Sequence, residues 1–198
     1  MGARRGYLAS IKGQSSAVAL ANEATTATGN ISYQITSSTK RILDYNTAVV
    51  VKVGGSAVTT GFTISYLTGT VTFDSASVRT VTITGAYVVL TEIANAKSFN
   101  FSGARETLDK TIFKDVYRAY EAGLLTGTAE LGLFYTDAYF FTWLTDNSVK
   151  VIEYYVDDAI TPIRFYAVIS EDSANIPVEG LVDQKISMQI TKEIGGLI

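Results

Sequence analysis

Apolar and polar residues alternate in short blocks along most of this chain, and the blocks follow one another too closely for any connection longer than a turn. Val49, Val51 and Val53 fall on one face of an extended segment and Ala48, Val50 and Lys52 on the other, with Gly54 and Gly55 next as a hairpin turn. Phe62, Ile64 and Tyr66 then alternate with Thr63 and Ser65. Gly69 punctuates before a TVTF block, and Val81, Ile83, Tyr87 and Val89 alternate with Thr80, Thr82 and Thr84. A parallel sheet needs a crossover of about a dozen residues or more between paired strands, and these intervals do not hold one. The expected fold class is therefore mainly β, an antiparallel sandwich or barrel-like sheet with one buried face. Further strands are expected at residues 149–155, 163–170 and 181–191. In the last of these, Val182, Gln184, Ile186, Met188 and Ile190 share a face.

One segment carries a different period. In TIFKDVYRAYEAGL, residues Ile112, Phe113, Val116, Tyr117 and Tyr120 form an apolar stripe at helical spacing, with Lys114, Asp115, Arg118 and Glu121 elsewhere around it. This predicts a flanking helix over about residues 111–122, capped by Asp109 or Thr111 and ended by Gly123 in a left-handed conformation. Residues 1–30, rich in Ala, Ser, Thr and Gly without sustained periodicity, read as an irregular N-terminal arm. Residues 192–198, beginning KEIGG, read as a short C-terminal tail, and the whole of 1–198 as a single domain with these arms.

The chain contains no His and no Cys. Nucleophile–imidazole pairs, His-based proton transfer near neutral pH and ordinary zinc sites are thereby excluded. Gly54 and Gly55 lack the Lys-Ser/Thr and the following helix of a phosphate loop, so turn chemistry accounts for them. The acidic pairs Asp157-Asp158 and Glu171-Asp172 read as solvated turn residues rather than an acid–base couple. The dense aromatic group Tyr139, Phe140, Phe141 and Trp143 reads as core or interface packing, since it lacks neighbouring groups to fix a sugar. No catalytic residue, cofactor or metal is expected. No run of about 18 apolar residues is available to span a membrane, and the start MGARRGYLASIKGQ is too short and polar in its apolar part for an export signal. A net charge of −3, with both signs intermixed, supplies no basic block for tight nucleic-acid binding.

From residue 99 to 135 the sequence FNFSGARETLDKTIFKDVYRAYEAGLLTGTAELGLFY runs from an acidic, Thr-containing stretch through an aromatic and an Arg to Gly-Leu, then to a Gly-Thr turn and a strand. In these features, carried by Glu106, Asp109, Thr111, Phe113, Tyr117, Arg118, Gly123, Leu124, Gly127, Thr128 and Gly132, it resembles the major tail tube proteins of long, non-contractile phage tails. The later IEYY and the closing strand before Gly-Gly-Leu are similar too. Segments 31–36, 40–44, 51–55 and 66–73 resemble pieces that occur, in the same order, in larger tail proteins. The helical period of TIFKDVYRAYEAGL departs from shorter relatives, which have a Gly-containing loop there.

The resemblance implies a β-sandwich-like subunit, six copies of which close into a ring, the rings stacking into a tube that conducts DNA during genome ejection. The implied partners are further copies of the chain, a tape measure protein, and tail terminator and distal tail proteins, with double-stranded DNA passing transiently. It implies a structural virion protein, assembled in the bacterial host cytoplasm, with no enzymatic activity and no membrane partner. A mildly acidic protein suits such a conduit, because phosphate-binding Lys and Arg would act as brakes. The polar strand faces at Thr80, Thr82 and Thr84 and at Thr63 and Ser65 are the candidate lumen faces. The alternatives are an inner tube subunit of a contractile injection machine, or a carbohydrate-binding or adhesin β module.

Overall fold

The computed structural model describes residues 10–76, 80–93, 96–109, 120–135, 139–155, 162–175 and 182–195. Among the described residues twelve strands and one α-helix follow one another: β1 (Ser10–Ala27), β2 (Ser32–Ile35), β3 (Val50–Val53), β4 (Ser56–Val58), β5 (Phe62–Ser65), β6 (Thr70–Phe73), β7 (Val81–Glu92), β8 (Ala96–Asp109), β9 (Tyr120–Phe134), α1 (Tyr139–Asp146), β10 (Lys150–Tyr155), β11 (Ile163–Asn175) and β12 (Asp183–Gly195). Every strand pairing with a described register is antiparallel. The chain divides into two compact units, the first comprising Met1–Ala94, Ser148–Tyr166 and Lys192–Ile198, the second Asn95–Asn147 and Ala167–Thr191.

In the first unit, β7 lies between β3 and β1, and β1 also pairs with β10 and β2. The expected hairpin of β3 and β4 turns through Gly54 at φ 58° and Gly55 at φ 89°, which suits a two-residue turn with both φ angles positive. Strands β5, β6 and β2 form a second ladder. Apolar clusters of the described residues fill this unit. Leu20, Tyr33, Ile35, Leu43, Val51, Val71, Phe73, Val81 and Ile83 make one; Leu67, Val88, Val151 and Tyr166 make another. Each such side chain, fully buried, contributes about 1.5–3 kcal/mol.

Strand β7 serves both clusters. The sequence pattern puts Tyr87 and Val89 on the face of Val81 and Ile83, but the buried residues are Val81, Ile83, Ala86 and Val88. The switch of parity falls at Gly85, where the β1–β7 register shifts between Leu20 and Glu23. Asn22 takes up the extra residue at φ 51°, a conformation that Asn tolerates better than most residues. Its Oδ1 accepts from Lys52 Nζ at 2.7 Å, and its backbone N–H donates to Thr84 Oγ1 at 3.1 Å.

The irregular arm expected over residues 1–30 is corrected for residues 10–27: they form β1, an 18-residue strand hydrogen-bonded to three others. Ala, Ser and Thr have little local strand signal of their own, and pairing with β7 and β10 decides the conformation. Residues 1–9 lie outside the described residues. At the other end, Lys192–Gly195 belong to β12 rather than to a tail, and residues 196–198 are outside the described set.

The second unit is built on the β8–β9 hairpin, with β12 paired to β9 and the later part of β11 beside β12. Ala129, Leu131, Leu133, Ile186 and Met188 are buried, as the alternation of β9 and β12 requires. The helix expected over about residues 111–122 falls mostly outside the described residues, and only its end can be compared. Tyr120, Glu121, Ala122 and Gly123, assigned to the end of a helix by their period, are strand, and residues 110–119 lie outside the described residues. Pairing to β8 overrides the local helical pattern. The helix of the described residues is α1, YFFTWLTD, where Phe140 and Trp143, three apart, turn inward and Phe141 is 58% exposed. Its aromatic and Thr residues favour strands locally, so burial rather than propensity makes it helical. Glu171 and Asp172 also depart from expectation, since they lie within β11 rather than in a turn.

Candidate functional site

Among the described residues the short β4 and β5 are edge strands, and two long strands, β8 and β1, also have an edge open along much of their length. In the second unit β8, 14 residues long, ends the strand order; no described strand lies beyond it. In the first unit, β1 has β7 along one edge and, on the other, β10 at Ser10–Gly13 and β2 at Thr25–Ala27. Between those two pairings residues 15–23 have no strand on the outer edge among the described residues. Ser15, Ser16, Ala17, Val18 and Ala19 are in addition all exposed, so this stretch is uncovered on both faces as well as on one edge. It carries no charge until Glu23. Such edges offer backbone donors and acceptors to any further strand, and isolated proteins ordinarily blunt them with charge, Pro or a covering loop.

The residues that carry the resemblance converge in part on the β8–β9 hairpin. Glu106 lies in β8 opposite Gly123 and Leu124 in β9, since the register runs from Arg105↔Leu125 to Thr107↔Ala122 and leaves two residues facing one. This is a β-bulge, and it replaces the C-cap expected at Gly123. Asp109 pairs with Tyr120 as the last residue of β8, and the residues it was expected to cap lie outside the described residues. Gly127 faces Gly103, and a β-carbon on it would come within 2.9 Å of Ile190 Cδ1, so close packing accounts for this glycine. Thr128 is exposed between Ser102 and Gln189. Gly132 sits between Ser98 and Lys185. Thr111, Phe113, Tyr117 and Arg118 lie outside the described residues.

The β1 edge escaped sequence reasoning. Its one available signal is the spacing of Val18 and Leu20 within AVALANEA, diluted by alanine on both faces.

A charged cluster closes the other end of β1. Glu153 in β10 is 3% exposed; its Oε1 accepts from the Tyr155 hydroxyl at 2.6 Å, its Oε2 from Arg164 Nε, and Lys12 Nζ stands 3.9 Å away. Burial, and then donation to Glu153, raise the Tyr155 phenol above its ordinary value. These partners satisfy the carboxylate, as an acid so buried requires. At the surface, Lys40 donates to Glu23 at 2.8 Å, and that hydrogen bond leads the causes holding its ammonium above the usual lysine value. Among the described residues no group of three or more acidic, His or Cys side chains could hold a metal ion. No described helix is long and apolar enough to cross a membrane.

No family model and no curated protein matches this chain. Among solved structures, a chain in the tail of an empty gene transfer agent particle with C6 symmetry is similar, with 15% identity and a TM-score of 0.49, covering 55% of this chain and 87% of that one. A chain in the virion of a native gene transfer agent particle is similar at 15% identity and a TM-score of 0.48, covering 55% and 89%.

Proposed function

We propose that this chain is a structural protein of a phage-type tail, with no enzymatic activity, and that it assembles into stacked hexameric rings forming a tail tube of the non-contractile kind. The observation that carries the reading is the pair of open edges, β8 and residues 15–23 of β1. A strand from another copy laid along such an edge satisfies its backbone groups, and closure of a ring leaves no edge to propagate uncontrolled pairing. The order of sequence motifs resembling tail tube proteins supports the same reading. So does the weakly acidic charge, in a conduit through which DNA must slide.

In this role the chain forms the genome conduit of the virion after assembly in the host cytoplasm. Its partners are further copies of itself, a tape measure protein that sets length, and terminator and distal tail proteins at the two ends.

Negative-stain electron microscopy of the concentrated protein tests the proposal. Rings or tubes with a central channel and sixfold end views are expected. Val18→Lys, placing a charge on the open edge of β1, should abolish them while leaving the circular dichroism spectrum and melting temperature unchanged. A compact monomer that forms no ring across a range of salt and concentration overturns the reading. Glycan binding by that monomer would move an adhesin module into its place.

A further inference from the structure

A cleft of about 740 Å³ opens in the first unit beside the Glu153 cluster, and its walls carry more cations than anions. Among the described residues Lys12, Arg41 and Arg164 line it, with Glu153 the one acid. Both oxygens of Glu153 are already engaged, one by Tyr155 and the other by Arg164. The cleft is therefore net positive, in a chain whose net charge is −3. The remainder of the protein must be more acidic than its total suggests.

Arg41 is held in place for binding. Its Nε donates to the Ile35 carbonyl at 2.9 Å and its Nη2 to the Thr36 carbonyl at 3.5 Å. Among the described residues Nη1 has no partner, so a fixed donor remains directed away from those two anchors. A guanidinium already immobilised loses less side-chain freedom on binding than a mobile one. Lys12, 38% exposed along its side chain, stands 3.9 Å from Glu153 Oε1 and 4.8 Å from the centre of the Tyr155 ring, at the cleft wall. Ser38, Thr39 and Thr68 also line it, the Thr68 hydroxyl being engaged with Ser65 and Thr70 and that of Thr39 with Ser37.

We infer that this cleft is an oxyanion site that receives the carboxylate side chains of an acidic segment from a second copy of the chain. The inference rests on the self-assembly proposed above and adds a contact to it that is ionic rather than strand-to-strand. Charge complementarity selects the occupant, because a positive cleft on an acidic protein finds its counter-charge most readily on another copy. Exposed acids are available, Glu171 in β11 among them.

The test uses fluorescein-labelled hexaglutamate as a probe, read by anisotropy at low ionic strength on the full chain. Wild type should bind it, with affinity falling steeply as salt is added. Lys12→Gln and Arg41→Gln should each weaken binding at least tenfold. Arg41 also supports a loop through the Ile35 carbonyl, so Lys12→Gln, at a half-exposed side chain whose described partners are the side chains of Glu153 and Tyr155, keeps the test decisive if Arg41→Gln fails to fold. Unlabelled hexaglutamate should also raise the concentration at which wild type self-associates in sedimentation velocity. Absence of peptide binding to wild type, or equal binding by folded variants, overturns the inference. Binding of a short DNA duplex that depends on Lys12 while hexaglutamate fails to bind also overturns it, in favour of nucleic acid. Failure of the ring proposal is distinguishable, since it appears as absent rings in wild type under the microscope, whereas failure here leaves rings intact and indifferent to both substitutions.

Discussion

Gly69 and Gly54 have nearly the same backbone conformation in unlike surroundings, which allows strain and crowding to be separated. Gly69 has φ 60°, and a β-carbon built on it falls 2.7 Å from the Arg41 carbonyl oxygen and 3.1 Å from Ile35 Cδ1. Gly54 has φ 58° with no heavy atom within 4 Å of the same position. An L-residue in the left-handed region costs about 1–2 kcal/mol, so Gly54→Ala should lose about that much and no more. Gly69→Ala carries the same strain plus overpacking, which costs about 1–3 kcal/mol. The obstructing atom cannot easily retreat. Arg41 is tied to the Ile35 carbonyl at 2.9 Å, and the Ile35 N–H donates to the Gly69 carbonyl at 3.0 Å, so a shift on either side disturbs both bonds. The expected loss for Gly69→Ala is therefore about 2–5 kcal/mol, or a fall in melting temperature of about 2–4 °C per kcal/mol for a chain of this size. Urea unfolding followed by circular dichroism measures both variants against wild type at a common slope. Equal losses for the two variants would refute the reasoning, because they would show that the loop carrying Arg41 moves aside without cost.

Gly127→Ala should destabilise by about 1–3 kcal/mol through its contact with Ile190, and Ile190→Val, which removes the nearest atom, should recover part of that loss in the double variant; strict additivity in the unfolding curves would contradict the contact. Trp143→Ala should cost about 3–5 kcal/mol, since the ring is fully buried, whereas Phe141→Ser, two residues earlier and exposed, should stay within about 0.5 kcal/mol of wild type when the two are melted side by side in dilute solution. Tyr155→Phe removes the donor to Glu153 and should cost about 1 kcal/mol near neutral pH. The folded phenol is raised above its ordinary value of 10.0, so its contribution is complete below that pH and is lost as pH rises through the folded value. Stability measured above pH 10 should accordingly decline more steeply for wild type than for Tyr155→Phe, and parallel declines would exclude the linkage.

Strands with large residues on one face were legible in the sequence. The β3–β4 hairpin with its two glycines, the TVTF strand and the buried face of β12 all stand where alternation and turn chemistry place them. Of the candidate assembly surface, the hairpin residues around Gly127 and Thr128 were singled out in advance, but the open edge of β1 was not. Alanine, serine and threonine can face either way at small cost, so the segment 15–23 has no pattern to read. The helical period that took in residues 120–123 and the aromatic run YFFTWLTD misled in opposite directions for one reason: apolar spacing shows which residues seek burial, while the neighbour that buries them is distant in sequence.

By itself, then, the sequence determines the class of this protein. Lack of His and Cys restricts its chemistry, and short intervals between alternating blocks impose antiparallel pairing, both through properties local to a few residues. Tertiary structure alone decided that residues 10–27 become a long strand, that β7 changes buried face at Gly85, that Tyr139–Asp146 is helical, and that Lys12, Arg41 and Arg164 share one cleft. Each depends on groups brought together from far along the chain, whose pairing and desolvation energies exceed the few tenths of a kcal/mol per residue by which local preferences typically differ.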